Sequence, residues 1–306
     1  MIPFYREYTP RFFLRAAAMV LAAVLSLASL NAFAEPARVL EDHPLAEKVW
    51  SSFTNQLTSV DDIVAAAEAS HGLLLGEKHD NARHHEIQAE LIRRMAAGGK
   101  NAAVIWEMIE PTKDSILAAG HGAKALGSEL GWNDTGWPDW SEYAPIARVA
   151  ITQELPMYGA ALSRSRVRAL LDDVSVTDGL APRRLDQVRR DALLDQLEAS
   201  HCGTVPRSAL AGMANVQIAR DGALARVIAK RIERGAYPIV NAGAGHTRRD
   251  RGIPWHLPRR TLLVVALVEV QRGVSDPAVY LEPGTADFIW FTPRVDEKDP
   301  CERFRR

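Results

Sequence analysis

Two short segments of the chain share the pattern Gly-x-x-His, at Gly76–His79 and at Gly243–His246. Each follows an apolar run of the kind that forms a buried β-strand. Glu77 lies inside the first segment, and Glu107 follows a further apolar run. Glutamate and histidine side chains bind divalent metals and also serve as general acids and bases, so these residues predict either a metal site or a catalytic site.

The elements around these residues determine whether they can meet. Residues 71–77 and 102–108 are predicted strands, and residues 81–97 between them have the apolar spacing of a helix. A strand–helix–strand unit normally forms two parallel strands. Ligands of parallel sheets bind beyond the carboxyl ends of the strands. We therefore expect four side chains to converge at that edge, as metal ligands or as catalytic groups: Glu77, His79, Glu107 and His246.

The rest of the chain continues the same alternation. Further strands are predicted at residues 155–162, 237–242, 261–270, 279–281 and 288–291, and amphipathic helices at residues 185–200 and 213–233. This order predicts an α/β fold with a mostly parallel central sheet flanked by helices. Residues 35–306 are interpreted as one domain, with helical and aromatic-loop cap segments at about 110–150 and 185–232.

The first cap segment is rich in aromatic residues. Trp132, Trp137, Trp140 and Tyr143 lie close together in sequence, and Tyr158 follows. Such a segment suits a flat apolar ligand, and it equally suits a small hydrophobic core under a long loop. Tyr143 and Tyr158 are also candidate phenolate ligands for ferric iron.

Other polar residues are weaker candidates for ligand binding. They are His84 and His85 at the start of a helix, His201 in a loop, and three side chains on a later helix, Gln217, Arg220 and Asp221. The alternative for His84 and His85 and for the three side chains of the later helix is a solvated surface position, whereas His201 is a candidate ligand or lid residue. Cys202, beside His201, is either free or bonded to Cys301, the other cysteine of the chain.

The N-terminus has the features of an export signal. Arg6, Arg11 and Arg15 precede the charge-free apolar run Ala16–Leu30, and Ala32-Phe33-Ala34 fits a cleavage site. We expect residues 1–34 to be a cleavable signal peptide and the mature protein to be periplasmic; without cleavage, the segment would anchor the protein in the membrane. The formal net charge of -1 argues against a nucleic-acid binder.

An ordered set of motifs resembles the ChaN-like haem-binding uptake family of the Tiki superfamily. The set spans about residues 70 to 260 and comprises Gly76-Glu77-Lys78-His79-Asp80-Asn81, His84-His85, Gln88, Glu107-Met108, Trp140, Tyr143-Ala144-Pro145, Met213, Gln217, Arg220-Asp221, Gly243-Ala244-Gly245-His246 and Gly252-Ile253-Pro254. The resemblance implies a fold like that of ChaN and the erythromycin esterases. The lipobox cysteine that some family members use for anchoring is absent.

The resemblance also implies a function, which is binding haem for iron uptake. The partners would be haem or another small molecule, a second copy of the chain in a homodimer, and an outer-membrane uptake receptor. Matching Glu and Gly-x-x-His elements serve hydrolysis in related proteins, so a metal-dependent hydrolase using Glu77, His79, Glu107 and His246 is the alternative. A third hypothesis is a structural or partner-binding module without chemistry.

Overall fold

The apolar runs of the sequence form one eight-stranded sheet in a computed structural model that describes residues 38–172, 183–258 and 261–302. The strands are β1 (Val49–Ser51), β2 (Gln56–Thr58), β3 (Leu73–Glu77), β4 (Ala102–Trp106), β5 (Met157–Gly159), β6 (Tyr237–Gly243), β7 (Leu263–Glu269) and β8 (Phe288–Thr292). Their order across the sheet is β2-β1-β8-β7-β3-β6-β4-β5. The predicted signal peptide, residues 1–34, lies outside the described residues.

The helices connect these strands and cover the sheet. They are α1 (Val60–Glu68), α2 (Ala82–Ala97), α3 (Asp114–Ala119), α4 (Ala123–Glu129), α5 (Trp140–Thr152), α6 (Arg164–Asp172), α7 (Gln187–Ser200), α8 (Arg207–Glu233) and α9 (Ala244–Thr247). In the described parts of the chain, no helix has both the length and the apolar character needed to cross a membrane.

Six of the strands form a parallel block. β8, β7, β3, β6, β4 and β5 pair in parallel, whereas β1 pairs antiparallel with β2 and with β8. The helix α2 is the crossover between β3 and β4, and the Asn81 side chain caps it by accepting a hydrogen bond from the Arg83 N–H. The predicted α/β fold with a mostly parallel sheet is confirmed.

The central strands are buried on both faces, as expected of a parallel sheet with helices on both sides. Leu73 and Leu75 of β3 pack into one hydrophobic core together with α2 and α5, and Leu74 between them packs into a second core with α8. Alternate side chains of a strand point to opposite faces. Both cores therefore hold β3, β4 and β6 in a fixed register.

Some details differ from the sequence predictions. The predicted strand at residues 279–281 is wrong: Pro277–Val279 is a short 3₁₀ helix, because the proline has no N–H for a strand ladder and its fixed φ suits the start of a helix. The three-residue strands β1 and β2 were not predicted, since segments so short have almost no periodicity. Residues 110–150 and 185–232 are mainly helical.

The two cysteines are bonded to each other. Cys202 follows helix α7, and Cys301 lies near the C-terminal end of the described chain, 99 positions away in sequence. Of the two states that the sequence left open, the structure has the disulfide.

Candidate functional site

The strand register brings the two Gly-x-x-His segments side by side. β6 lies between β3 and β4 in the sheet, and Glu77 at the end of β3 is the register partner of Gly243 at the end of β6. On the other side, Trp106 at the end of β4 is paired with Asn241 of β6. The residues that follow these three strands consequently emerge at one edge of the sheet.

The glycine of each segment makes room for a side chain in or directly after the other segment. A Cβ atom on Gly243 would lie 2.6 Å from Nε2 of His79, and a Cβ atom on Gly76 would lie 2.4 Å from Oγ1 of Thr247. Any larger residue would push these side chains aside. Both glycines are thus required by close approach, because neither has a positive φ that would itself demand glycine.

Glu77 and His79 form the first half of the site. Nδ1 of His79 is 2.8 Å from Oε1 of the fully buried Glu77. The Glu77 carboxylate also accepts hydrogen bonds from the Gln88 amide at 2.7 Å and the Tyr143 hydroxyl at 3.1 Å. Nε2 of the buried His85 lies 3.5 Å away from Oε1. The carboxylate is therefore held from several sides and fixes the His79 ring.

The electrostatics of this half favour a charged pair. Burial raises the pKa of Glu77, but its electrostatic interaction with His85 and its hydrogen bond with His79 outweigh burial and hold that pKa below its usual range. Burial likewise lowers the pKa of His79, but the hydrogen bond to Glu77 and the charge of Glu107 raise it overall. The His79 side chain is 29% exposed, and its Nε2 lies close to Gly243.

Glu107, Asp221 and His246 form the second half of the site. Nε2 of His246 lies 3.0 Å from Glu107, and its Nδ1 lies 2.5 Å from Asp221 and 3.0 Å from the Gln217 amide. The backbone N–H of Gly243 donates to Oε2 of Glu107 at 2.7 Å. The His246 side chain is only 8% exposed. Both of its ring nitrogens are occupied, so this imidazole is enclosed.

Here too the charges stabilise one another. Burial lowers the pKa of His246, but Glu107 and Asp221 outweigh it and raise that pKa to about 10. Burial raises the pKa of Glu107, but the charge of His246 and its hydrogen bond lower it to about 2. For Asp221, burial outweighs the attraction of His246 and raises the pKa to about 6. At neutral pH, His246 is an imidazolium between two carboxylates.

The aromatic residues of the first cap segment divide into a core and a cavity wall. Trp140 and Tyr143 are buried, and their ring centroids lie 4.9 and 5.0 Å from that of Trp132. Trp137 is half-buried, and its ring lies 4.6 Å from the His79 ring. Trp132 and Trp137 line a cavity of about 480 Å³ that also reaches Glu107. Both interpretations of the segment therefore apply: Trp140 and Tyr143 belong to the core, Trp137 to the cavity wall, and Trp132 to both.

Several predicted ligand residues lie in places that do not offer them to a ligand. His84 is buried, with Nδ1 accepting from the Lys78 N–H and Nε2 bonded to Thr292, and burial lowers its pKa to about 3. Tyr158 lies under the Arg231 guanidinium on β5. His201 ends helix α7, where Nδ1 contacts the Leu197 carbonyl. His84 supports the fold, and neither Tyr158 nor His201 lines the cavity.

The predicted metal ligands are engaged in pairs. Glu77 contacts His79, and Glu107 contacts His246. Within residues 38–172, 183–258 and 261–302, no group of three or more His, Cys, Asp or Glu side chains is arranged to hold a metal ion. The predicted divalent-metal site at Glu77, His79, Glu107 and His246 is not supported by this geometry.

Sequence reasoning missed two sets of residues at this site. Thr247, which packs against Gly76, directly follows the second Gly-x-x-His segment. Four basic residues also line the cavity: Lys113, Arg164, Arg168 and Arg220, of which the sequence singled out the last alone. The four-residue spacing of Arg164 and Arg168, which places them on one face of a helix, was an available signal.

Comparisons with known proteins give the family and the fold of the chain. A family model described as "Haem-binding uptake, Tiki superfamily, ChaN" matches residues 63–257. The structure of ChaN of Campylobacter jejuni, described as binding haem cofacially, matches with 21% identity and a TM-score of 0.63, over 79% of this chain and 95% of that chain. At this identity the likeness establishes the fold.

A more distant match is a mutant of the erythromycin esterase EreC in its open conformation. It has 13% identity and a TM-score of 0.40, over 84% of this chain and 86% of that chain, which is too distant to support an argument about chemistry. A search of curated protein sequences gave no significant match.

Proposed function

The chain belongs to the haem-binding uptake family of ChaN in the Tiki superfamily, and from this premise we propose that it binds haem with His79 as the iron ligand. The observation that supports this proposal best is the state of the His79 ring. It is partly exposed, it lies against Trp137, and its Nδ1 is fixed by a buried carboxylate. Histidines that bind metals normally donate their second N–H to such a partner.

The donor set suits the iron of haem. His79 would hold a bound haem through its iron, and histidine is a common protein ligand of haem iron. With Nδ1–H donated to Glu77, the lone pair of Nε2 is available once that nitrogen is deprotonated. Trp137 offers an aromatic surface to the porphyrin ring. The cavity next to Trp137 is of the size that small-molecule ligands occupy.

The tyrosines fit the iron less well than His79. Burial and the nearby Glu77 carboxylate raise the pKa of Tyr143 well above its ordinary value, so a phenolate is disfavoured there. The Tyr143 hydroxyl is already engaged by Glu77 and by the His79 carbonyl. Tyr158 is held under the Arg231 guanidinium.

Titration of the purified protein with haemin tests the proposal. We expect a shifted Soret band with saturable binding, and His79→Ala should weaken binding by at least about tenfold, since an axial bond and its supporting hydrogen bond are lost. His121→Ala, at an exposed histidine outside the site, is the matched control and should bind like the wild type. The absence of any Soret shift in the wild type would overturn the proposal.

We further propose that the protein works in haem or iron uptake after export to the periplasm. The basic residues, apolar run and Ala32-Phe33-Ala34 of the N-terminus support this location. A homodimer and an outer-membrane receptor are the partners that this role suggests. N-terminal sequencing of protein recovered from the periplasm should begin at Glu35; a protein that is retained in the cytoplasm with Met1 or Ile2 at its terminus would contradict export.

The hydrolase alternative is not adopted. The family model points to haem binding, and the match to an esterase is too distant to outweigh it. In addition, His246, which would be a candidate base, is an enclosed imidazolium at neutral pH and is not available to take a proton.

A further inference from the structure

The cavity next to Trp137 has an apolar wall. Trp132 and Trp137 lie on one side, and Val167 and Leu171 of α6 and Leu224 of α8 contribute aliphatic surface. A cavity of about 480 Å³ with such a lining suits a flat, mostly apolar molecule. Trp137 contacts both the His79 ring and the cavity. A ligand bound at His79 can therefore extend along Trp137 into this space.

The same cavity is bordered by an excess of positive charge. Lys113, Arg164, Arg168 and Arg220 line it, against the carboxylates of Glu107 and Glu110. Glu107 is already neutralised by His246 and by the Gly243 N–H. The side chains that line the cavity consequently carry a net positive charge.

Two of these arginines have their hydrogen-bonding capacity available. Within the described residues, Arg168 and Arg220 form no hydrogen bond and no salt bridge, whereas Arg164 donates to the Asp134 carbonyl. Arg220 is half-buried, and its neighbour Asp221 is engaged by His246. The Arg220 guanidinium interacts electrostatically with Asp221 but donates no hydrogen bond to it. A carboxylate that enters the cavity would satisfy this guanidinium with paired hydrogen bonds.

We infer that Arg168 and Arg220 bind the carboxylates of a planar apolar dicarboxylate in this cavity. For haem these are the two propionate groups, so in that respect the inference rests on the proposed function. The arginines would give the site its selectivity for acidic tetrapyrroles over neutral ones of the same shape. Trp132, Trp137 and Leu224 would bind the ring itself.

The test uses two ligands that differ only in charge. Metal-free protoporphyrin IX and its dimethyl ester are titrated into the full protein, and binding is followed by porphyrin fluorescence. The wild type should prefer the acid by about tenfold or more, since charge-assisted hydrogen bonds contribute about 1.5–3 kcal/mol. Arg168→Gln and Arg220→Gln should each reduce this preference, and high salt should weaken binding of the acid alone. Arg148→Gln, at an exposed helical arginine outside the cavity, should change nothing.

The outcomes separate this inference from haem binding itself. Equal affinity of the wild type for the acid and the ester would overturn the proposed binding of carboxylates by Arg168 and Arg220, here called the arginine clamp. This holds even if haemin binding depends on His79. An arginine-dependent preference for the acid together with unchanged haemin binding by His79→Ala would support the clamp and contradict iron ligation by His79. The acid–ester comparison uses the wild type alone, so it remains valid even if an arginine variant fails to fold. If the wild type binds neither porphyrin, the inference is overturned.

Discussion

The two Gly-x-x-His segments are alike in sequence and different in environment. Both follow strands of one parallel block, and each histidine contacts a glutamate. His79, however, is 29% exposed and has one ring nitrogen bound, whereas His246 is 8% exposed and has both bound. The difference comes from α8, which adds Asp221 and Gln217 to the second segment, while Trp137 adds only an apolar surface to the first. The same motif thus gives one accessible and one enclosed imidazole.

This comparison predicts that replacing His246 mainly lowers the stability of the fold, whereas replacing His79 mainly weakens haemin binding. His246→Ala leaves Glu107 and Asp221 buried without their shared cation, and breaking a buried ion pair costs about 3–5 kcal/mol. Urea denaturation should show a loss of this size. His79→Ala should cost less, because the buried Glu77 keeps its contacts with His85, Gln88 and Tyr143, while haemin binding is weakened. Equal destabilisation by both variants would contradict the division into an accessible and an enclosed half.

The pH dependence of stability should report on the enclosed half. The pKa of His246 is raised from 6.5 to about 10, so the stabilisation by its imidazolium is fully present below pH 6.5 and is lost as the pH rises through 10. The difference in unfolding free energy between the wild type and His246→Gln should shrink between pH 6.5 and 10. His121→Gln is the control at an exposed histidine. Curves that stay parallel over this range would contradict the charged state.

Gly243 joins the two halves, and replacing it should disturb the accessible one. A Cβ atom would lie 2.6 Å from Nε2 of His79, and overpacking of this kind costs about 1–3 kcal/mol. We expect Gly243→Ala to displace the ring and reduce haemin affinity in a Soret titration. Gly245→Ala is the matched control, because its Cβ would meet only the flexible ends of Gln196 and Gln217. If both variants bind haemin like the wild type, the reciprocal packing does not position His79.

The smallest effect is expected at Tyr143. Tyr143→Phe removes a hydrogen bond to Glu77 and should destabilise the fold by about 1 kcal/mol in thermal unfolding. Because we assign the iron ligand to His79, the visible spectrum of the haemin complex should keep its band positions. Loss of a phenolate-to-iron charge-transfer band in this variant would move the ligand to the tyrosine.

The convergence of the strand ends could be predicted from the sequence, but the roles of the two histidines could not. The apolar runs before Glu77, Glu107 and Gly243 indicate parallel strands, and parallel strands end at one edge. The environment of each imidazole depends on side chains far away in sequence, such as Asp221 on α8 and Trp137 in a loop. No local pattern encodes those contacts. The basic cavity was missed for the same reason, since α6, α8 and the segment at Lys113 meet only in the folded chain.

The disulfide between Cys202 and Cys301 gives the chain a closed covalent loop. Strands β6, β7 and β8 and the second Gly-x-x-His segment all belong to that loop, while β3, which lies between β6 and β7, belongs to the part before it. A protease that cuts once within the loop would therefore release no fragment, and the cut protein would run as one band on a gel without reductant. Reductant would separate the pieces. A protein outside the reducing cytosol can in this way survive a single cut without losing a strand of its sheet.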